Sequence, residues 1–297
     1  MSTPTSDDRS YCSLQQDQGS MLGTAEQVDV WLMLEAPGSW PARAVEEGAV
    51  ATEVAQWLER SAQKLSAQGL RVRPQLIKQP GRKLGEAGAQ RTLLIGYAER
   101  LFQIVMQNDA QLLGLDVGEI VEDVRANREV QATRVNESHY FVCTNGRRDL
   151  CCARFGLPVY RQLQEQIGSR AWQVNHVGGH RFAPNVLSLP QGVLYGRVQP
   201  EDVDAFLQQV ESGALAFAWL RGRAAYAPQV QAAEGLLAQQ QLKLLHVSAT
   251  DAVTRVEFVG PEQRVAISVA RSEQAEMILA GCNKRETKAF YPFLRRP

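Results

Sequence analysis

The spacing of hydrophobic and polar positions marks out the elements of this chain. Val28 to Leu34 is a nearly continuous apolar run, which predicts a buried strand, and Pro37-Gly38-Ser39-Trp40-Pro41 supplies the turn residues that close it. Val50, Val54, Trp57, Leu58 and Ala62 then recur at helical spacing and predict a helix over 48–65, with Glu53 and Glu59 toward water. Alternation at Val72, Pro74 and Leu76 predicts a second strand, ended by Gln79-Pro80-Gly81. Thr92 to Tyr97 and Leu101 to Met106 read as two more, joined by a short polar turn. The polar, charged section 119–137 is the candidate boundary before the second half.

His139 to Thr144 predicts a strand, followed by a cysteine-bearing loop. Pro158 then opens a helix whose stripe is Val159, Tyr160, Leu163 and Ile167, before Gly168 stops it. Trp172 to Asn175 begins the next strand, and Val186 to Leu189 with Val193 to Val198 forms a hairpin around Pro190-Gln191-Gly192. Pro200, Glu201 and Asp202 start a helix that buries Val203, Phe206, Leu207 and Val210 and ends at Gly213. This order of strand, helix, three strands and helix suits a small thioredoxin-like sheet with two covering helices. A helix near 230–240 and strands at 242–247, 253–259 and 265–269 follow, and the tail from Cys282 reads as basic and irregular. The fold class is α/β (α+β): a mixed-sheet α/β domain over 1–130, a thioredoxin-like domain over 131–225, and an α/β extension over 226–297.

Composition narrows the function. With 32 Lys plus Arg against 32 Asp plus Glu, the molecule lacks the basic field on which nucleic-acid binding depends. Met1 to Ser20 is polar and acidic, and no later run is apolar over membrane length, so a cytoplasmic protein without membrane association is expected. Five cysteines, two of them adjacent, make a poor disulfide framework and direct attention to metal or redox chemistry. The first half carries no glycine-rich phosphate-binding pattern.

The unusual residues concentrate in two segments, Cys143-Thr-Asn-Gly-Arg-Arg-Asp-Leu-Cys151-Cys152 and His176-Val-Gly-Gly-His180. Gly146 lets the first loop fold back, and Gly178 with Gly179 permits a tight positive-φ turn that brings His180 toward His176. Two thiolates and two imidazoles suit zinc or a two-iron cluster, whereas calcium and magnesium require oxygen ligands. Spacing alone fits iron and zinc equally, and Cys151 rivals Cys152. Taken singly, Cys12 and Cys282 read as small buried hydrophobes. Arg147, Arg148 and Arg181 are either solvated surface charges or functional, as hydrogen-bond donors supporting the ligands or as part of a docking face for an acidic partner.

At these positions the sequence resembles the sucrase/ferredoxin-like family. The resemblance rests on the Cys-x8-Cys loop with Gly146, Arg148 and Asp149, on His-x-Gly-Gly-His-Arg-Phe-Ala and Asn185, and on Leu189-Pro190 with Gly192-x-x-Tyr195-Gly196-x-Val198. Arg221-Gly222-Arg223, Gln231 to Ala233, Gly23-Thr24-Ala25 and Glu35-x-Pro37-Gly38 extend it over most of the chain. Asn145 departs from it, standing where members often carry histidine. The resemblance implies a thioredoxin-like ferredoxin domain whose [2Fe-2S] cluster is held by Cys143, Cys152, His176 and His180, with Cys152 preferred over Cys151. It further implies an electron carrier rather than an enzyme, with no catalytic acid or base and a redox partner protein, reductase or acceptor. Two imidazoles in place of two thiolates remove negative charge, so the potential is expected above that of an all-cysteine cluster. The alternative is a zinc-stabilised Cys2His2 interaction module without redox activity. A thiol-disulfide enzyme is disfavoured because the chain has no Cys-x-x-Cys.

Overall fold

The computed structural model describes residues 11–14, 19–82, 90–250, 252–282 and 286–297. Most of the polar N-terminal stretch and a short piece of the basic tail therefore lie outside the described residues. The chain runs β1 (Val30–Glu35), α1 (Thr52–Ala67), β2 (Val72–Lys78), β3 (Arg91–Tyr97), β4 (Arg100–Met106), α2 (Asp109–Leu113), α3 (Val117–Arg125) and β5 (Thr133–Val135). It continues as β6 (His139–Cys143), α4 (Leu150–Ile167), β7 (Ala171–Val174), β8 (Asn185–Leu189), β9 (Val193–Gly196), α5 (Val203–Glu211), β10 (Leu220–Arg223) and α6 (Pro228–Leu237). The last part holds β11 (Lys243–Ala249), β12 (Thr254–Val259), β13 (Arg264–Arg271), β14 (Glu276–Leu279), β15 (Thr287–Phe290) and β16 (Phe293–Arg296).

Among the described residues, ten strands join in one mixed sheet, ordered β10-β9-β8-β6-β7-β2-β1-β3-β4-β5. The expected mixed α/β class is observed, and strands from both sides of residue 130 share this sheet. They meet where β2 runs antiparallel to β7, with Ile77 opposite Val174 and Lys78 opposite Gln173. Strand alternation assigns the faces. In β1, Val30, Leu32 and Leu34 pack under α1 and α3, whereas Trp31 and Met33 point into a core shared with Phe141, Trp172, Leu187 and Leu194. In β6, Phe141 and Cys143 face that shared core while Tyr140 and Val142 pack against α4 and α5. Gly96 of β3 lies close enough to Leu189 of β8 that an added Cβ would sit 3.1 Å from its methyl, so the two wings of the sheet press together.

Three expectations need correction. The helix expected to open at Pro158 begins at Leu150, because Asp149 accepts from the Cys151 N–H at 3.0 Å and caps an earlier turn; Pro158 lies inside it. No helix is expected from the sequence between 106 and 139, yet α2 and α3 form there and Ile120, Val121 and Val124 bury the face of α3. The tail is not irregular: β16 pairs antiparallel with β13, and β15 with β14. The C-terminal sheet β11-β12-β13-β16 packs Val256, Phe258, Ile267 and Val269 against Val230 and Ala233 of α6.

Candidate metal centre

Cys143 is the last residue of β6, and the loop after it is tied down locally. The Asn145 side chain accepts from the Arg147 N–H at 3.1 Å and donates to the Pro41 carbonyl at 2.8 Å. α4 then starts with the cysteine doublet. Successive residues of a helix point about 100° apart, so the two thiols separate: Cys152 turns into the shared core beside Cys143, and Cys151 turns away toward Cys12 and Cys282. One turn on, Gly156 lets the helix lie directly on the end of β6, since a Cβ there would stand 2.2 Å from the Cys143 carbonyl oxygen.

The second segment follows β7. The His176 N–H donates to Gln75 Oε1 at 3.3 Å, and its carbonyl accepts from Arg73 Nη2 at 3.1 Å. Gly178 and Gly179 adopt positive φ of 78° and 70°, as the turn requires. The fully buried Arg221 holds that turn, donating to Gly178 O at 3.0 Å, Asn185 Oδ1 at 2.9 Å, Thr24 O at 2.6 Å and Thr24 Oγ1 at 3.2 Å. A Cβ at Gly179 would stand 2.3 Å from Arg221 Nη2, so glycine is needed there for space as well as for φ.

The donor atoms of Cys143, Cys152 and His176 all lie within 4.8 Å of one another. His176 Nδ1 is 3.7 Å from Cys143 Sγ. His180 does not join this trio. Its Nδ1 stands 3.1 Å from Asp149 Oδ2 and 3.1 Å from Cys12 Sγ. Cys12, Asp149, Cys151 and Cys282 form a second convergent group within 4.8 Å. The sequence reads Cys12 and Cys282 singly as buried hydrophobes, because nothing local reports that they fold back on Cys151.

Electrostatics divide the first pair. A hydrogen bond from Cys152, supported by His176, holds the Cys143 thiol well below its ordinary value, while the same contact and burial push Cys152 well up. The shared contact thus shifts the two thiols in opposite directions. Burial pushes Arg73 down to about 10 and Arg221 down to about 9; both remain cations at neutral pH, and each is attracted by the charge on Cys143. Burial also lowers His180, against the pull of Asp149. Two buried sulfurs and an imidazole, with no carboxylate among them, fit a borderline-soft metal centre. A cleft lined by Arg73, Gln75, Arg148, Asn175 and His176 opens beside it.

The fold is a mixed α/β sheet in which Cys143 and His176, following two neighbouring strands, and Cys152 of α4 form a group that could hold a metal ion. The chain belongs to the sucrase/ferredoxin-like family, whose sequence profile matches residues 21–222. That span contains Cys143, Cys152, His176 and His180 and stops short of Cys12 and Cys282. Altered inheritance of mitochondria protein 32 of Meyerozyma guilliermondii is 34% identical over 89 residues, covering 27% of this chain and 32% of that protein. Its counterpart in Clavispora lusitaniae is 28% identical over 87 residues, again covering 27% and 32%. The matches thus span about a third of these relatives' length. Among solved structures, the thioredoxin-like [2Fe-2S] ferredoxin from Aquifex aeolicus is 24% identical over 29% of this chain and 91% of its own, with a TM-score of 0.26. Among the described residues, no helix is long and apolar enough to cross a membrane.

Proposed function

We propose that the chain is an electron-transfer protein that holds a [2Fe-2S] cluster through Cys143, Cys152, His176 and His180. The observation that carries the reading is the convergence of buried Cys143 and Cys152 with half-buried His176 in a member of the sucrase/ferredoxin-like family. A ligating histidine ordinarily gives its other ring N–H to a carboxylate. His180 Nδ1 faces Asp149 in that manner, which leaves Nε2 as its ligating nitrogen. Such a cluster, when bound, takes up and returns one electron at a time. The residues around it supply the setting. Arg73 and Arg221 offset the thiolate charge, and Arg221 fixes the turn between the two histidines. His176 borders the cleft, where Arg148 provides positive charge for an acidic redox partner while Arg73 is paired with Glu26.

Aerobically purified full-length protein is expected to be red-brown, to contain iron and acid-labile sulfide in equal amounts, and to bleach with dithionite. His176→Ala and His180→Ala are each expected to shift or abolish the visible bands and the resonance of the reduced state. A colourless protein with zinc bound by Cys143 and His176 would replace this reading with the interaction module. Unchanged spectra in both histidine variants would refute the ligand set.

A further inference from the structure

The second convergent group lies outside the centre described above. Cys151 Sγ is 3.5 Å from Cys12 Sγ and 2.9 Å from Cys282 Sγ, and Cys12 and Cys282 are 3.6 Å apart. Asp149 Oδ1 reaches the Cys282 sulfur at 3.0 Å. A zinc ion with sulfurs at about 2.3 Å in tetrahedral array spaces those sulfurs by roughly 3.8 Å, whereas a disulfide brings them to about 2.0 Å. Two of the three separations are thus close to the edge of a coordination tetrahedron, and the third needs only a small opening.

Burial makes the arrangement more telling. Cys12 and Cys151 are wholly buried in a small cluster with Ala183, packed by Tyr11, Phe155 and Leu279, and the Asp149 side chain is 8% exposed. A carboxylate and three sulfurs point at one place. The strong donors reaching them are His180 Nδ1, at 3.1 Å from both Asp149 Oδ2 and Cys12 Sγ, and the backbone N–H groups of Ser13, at 3.5 Å from Cys151 Sγ, and of Cys151 itself, at 3.0 Å from Asp149 Oδ1; none of them meets Cys282. Thiols are weak donors to one another, so a cation is the natural centre of the group. The elements that carry it also need a tie. Cys12 sits in a three-residue 3-10 turn, and Cys282 lies between β14 and β15, 139 and 131 residues from Cys151 in sequence.

We propose that Cys12, Cys151, Cys282 and Asp149 form a second metal site, for a divalent zinc-type ion, that staples two remote segments to the start of α4. Three sulfurs and one carboxylate oxygen complete a closed tetrahedral shell, the pattern of a structural site rather than a catalytic one. Hard cations such as magnesium are not served by this donor set. Asp149 Oδ2 faces His180 Nδ1, an approach that comes from the helix-capping aspartate and does not require the metal. The cysteine doublet then has a physical meaning: one sulfur of the helix start for each centre.

The test is metal analysis of the full chain, purified after growth with zinc and desalted, together with absorption-edge spectroscopy at zinc. The expected result is about one zinc per chain, with three sulfur neighbours at about 2.3 Å and one light atom. Cys282→Ser and Cys12→Ser are expected to lose at least tenfold in zinc retention against a chelator while keeping their iron and visible absorption. Cys143→Ser is expected to lose iron and keep zinc. Absence of zinc, or full retention in Cys282→Ser, would overturn the site. A shell of two sulfurs and two nitrogens would put zinc at Cys143, Cys152 and the histidines, overturning this site and the cluster reading together. Loss of iron without loss of zinc in a histidine-intact Cys12→Ser protein would overturn this assignment alone. The wild-type spectrum decides the matter if a variant fails to fold.

Discussion

His139 shows what a single buried imidazole contributes at the residue scale. It is 8% exposed at the start of β6, and its Nδ1 accepts a hydrogen bond from Trp172 Nε1 at 3.1 Å. Burial, reinforced by the Arg170 charge, pushes its pKa down from 6.5 to about 4. Between those values the unfolded chain binds a proton that the folded chain refuses. The stabilisation is therefore complete above pH 6.5 and is lost as the pH falls toward 4, by up to about 3 kcal/mol. His139→Asn keeps an acceptor for Trp172 and removes the titration. Its urea midpoint is expected to fall less than that of the parent between pH 7 and pH 4.5, and parallel curves would exclude this histidine as the source. At the same scale, the convergence of Cys143, Cys152 and His176 was legible because thiols and imidazoles are scarce and are set among glycines, whereas the contacts of His180 with Asp149 and Cys12 were not. Arg221 was visible only as part of a family motif, since a charge in an apolar strand carries no local sign of the carbonyls it will meet.

At the scale of elements, α4 ties the two segments of the centre together. Its first turn places Cys152 inward and Cys151 outward, and Gly156 lets its axis approach β6. Gly156→Ala would force a methyl into the Cys143 carbonyl, which lies against backbone and has no flexible side chain to yield. We expect about 3 kcal/mol of lost stability, measured by urea unfolding, together with weakened iron retention because the helix start carries Cys152. Unchanged stability would mean that the helix can shift along the strand freely. The periodicity of apolar residues located α1, α5, α6, the body of α4 and most strands, since it is a local property, but it passed over α2, and α3, most of which lies in the stretch read as polar. It missed the true start of α4 because Pro158 is a strong helix-opening signal and the weaker cap at Asp149 came before a doublet without an apolar stripe. It missed β15 and β16 because their exposed, charged residues follow no alternation; pairing with β14 and β13 orders them.

Across the whole molecule, what the sequence concealed is the joining of the two wings. The backbone register between β2 and β7 covers two residue pairs, and side chains extend it. The Leu76 N–H donates to Asn175 Oδ1 at 3.1 Å, while the Asn175 N–H donates to Leu76 O at 3.0 Å. Gln79 Nε2 reaches Ser169 O at 2.8 Å and Ala171 O at 2.9 Å. Such long-range pairings leave no trace in local hydropathy. They matter because the seam adjoins His176, whose backbone is held by Gln75 and Arg73 of β2, so the first wing positions a residue of the centre. Both wings also share the core around Trp31, Met33, Phe141 and Trp172. Unfolding in urea is accordingly expected to follow a single transition, with tryptophan fluorescence and far-ultraviolet circular dichroism superimposed. Asn175→Ala strips one acceptor from a buried N–H and should lower that transition by about 2 kcal/mol, with both probes moving together. If the variant instead splits into two transitions, one of them unmoved, the wings fold independently and the shared core does not couple them.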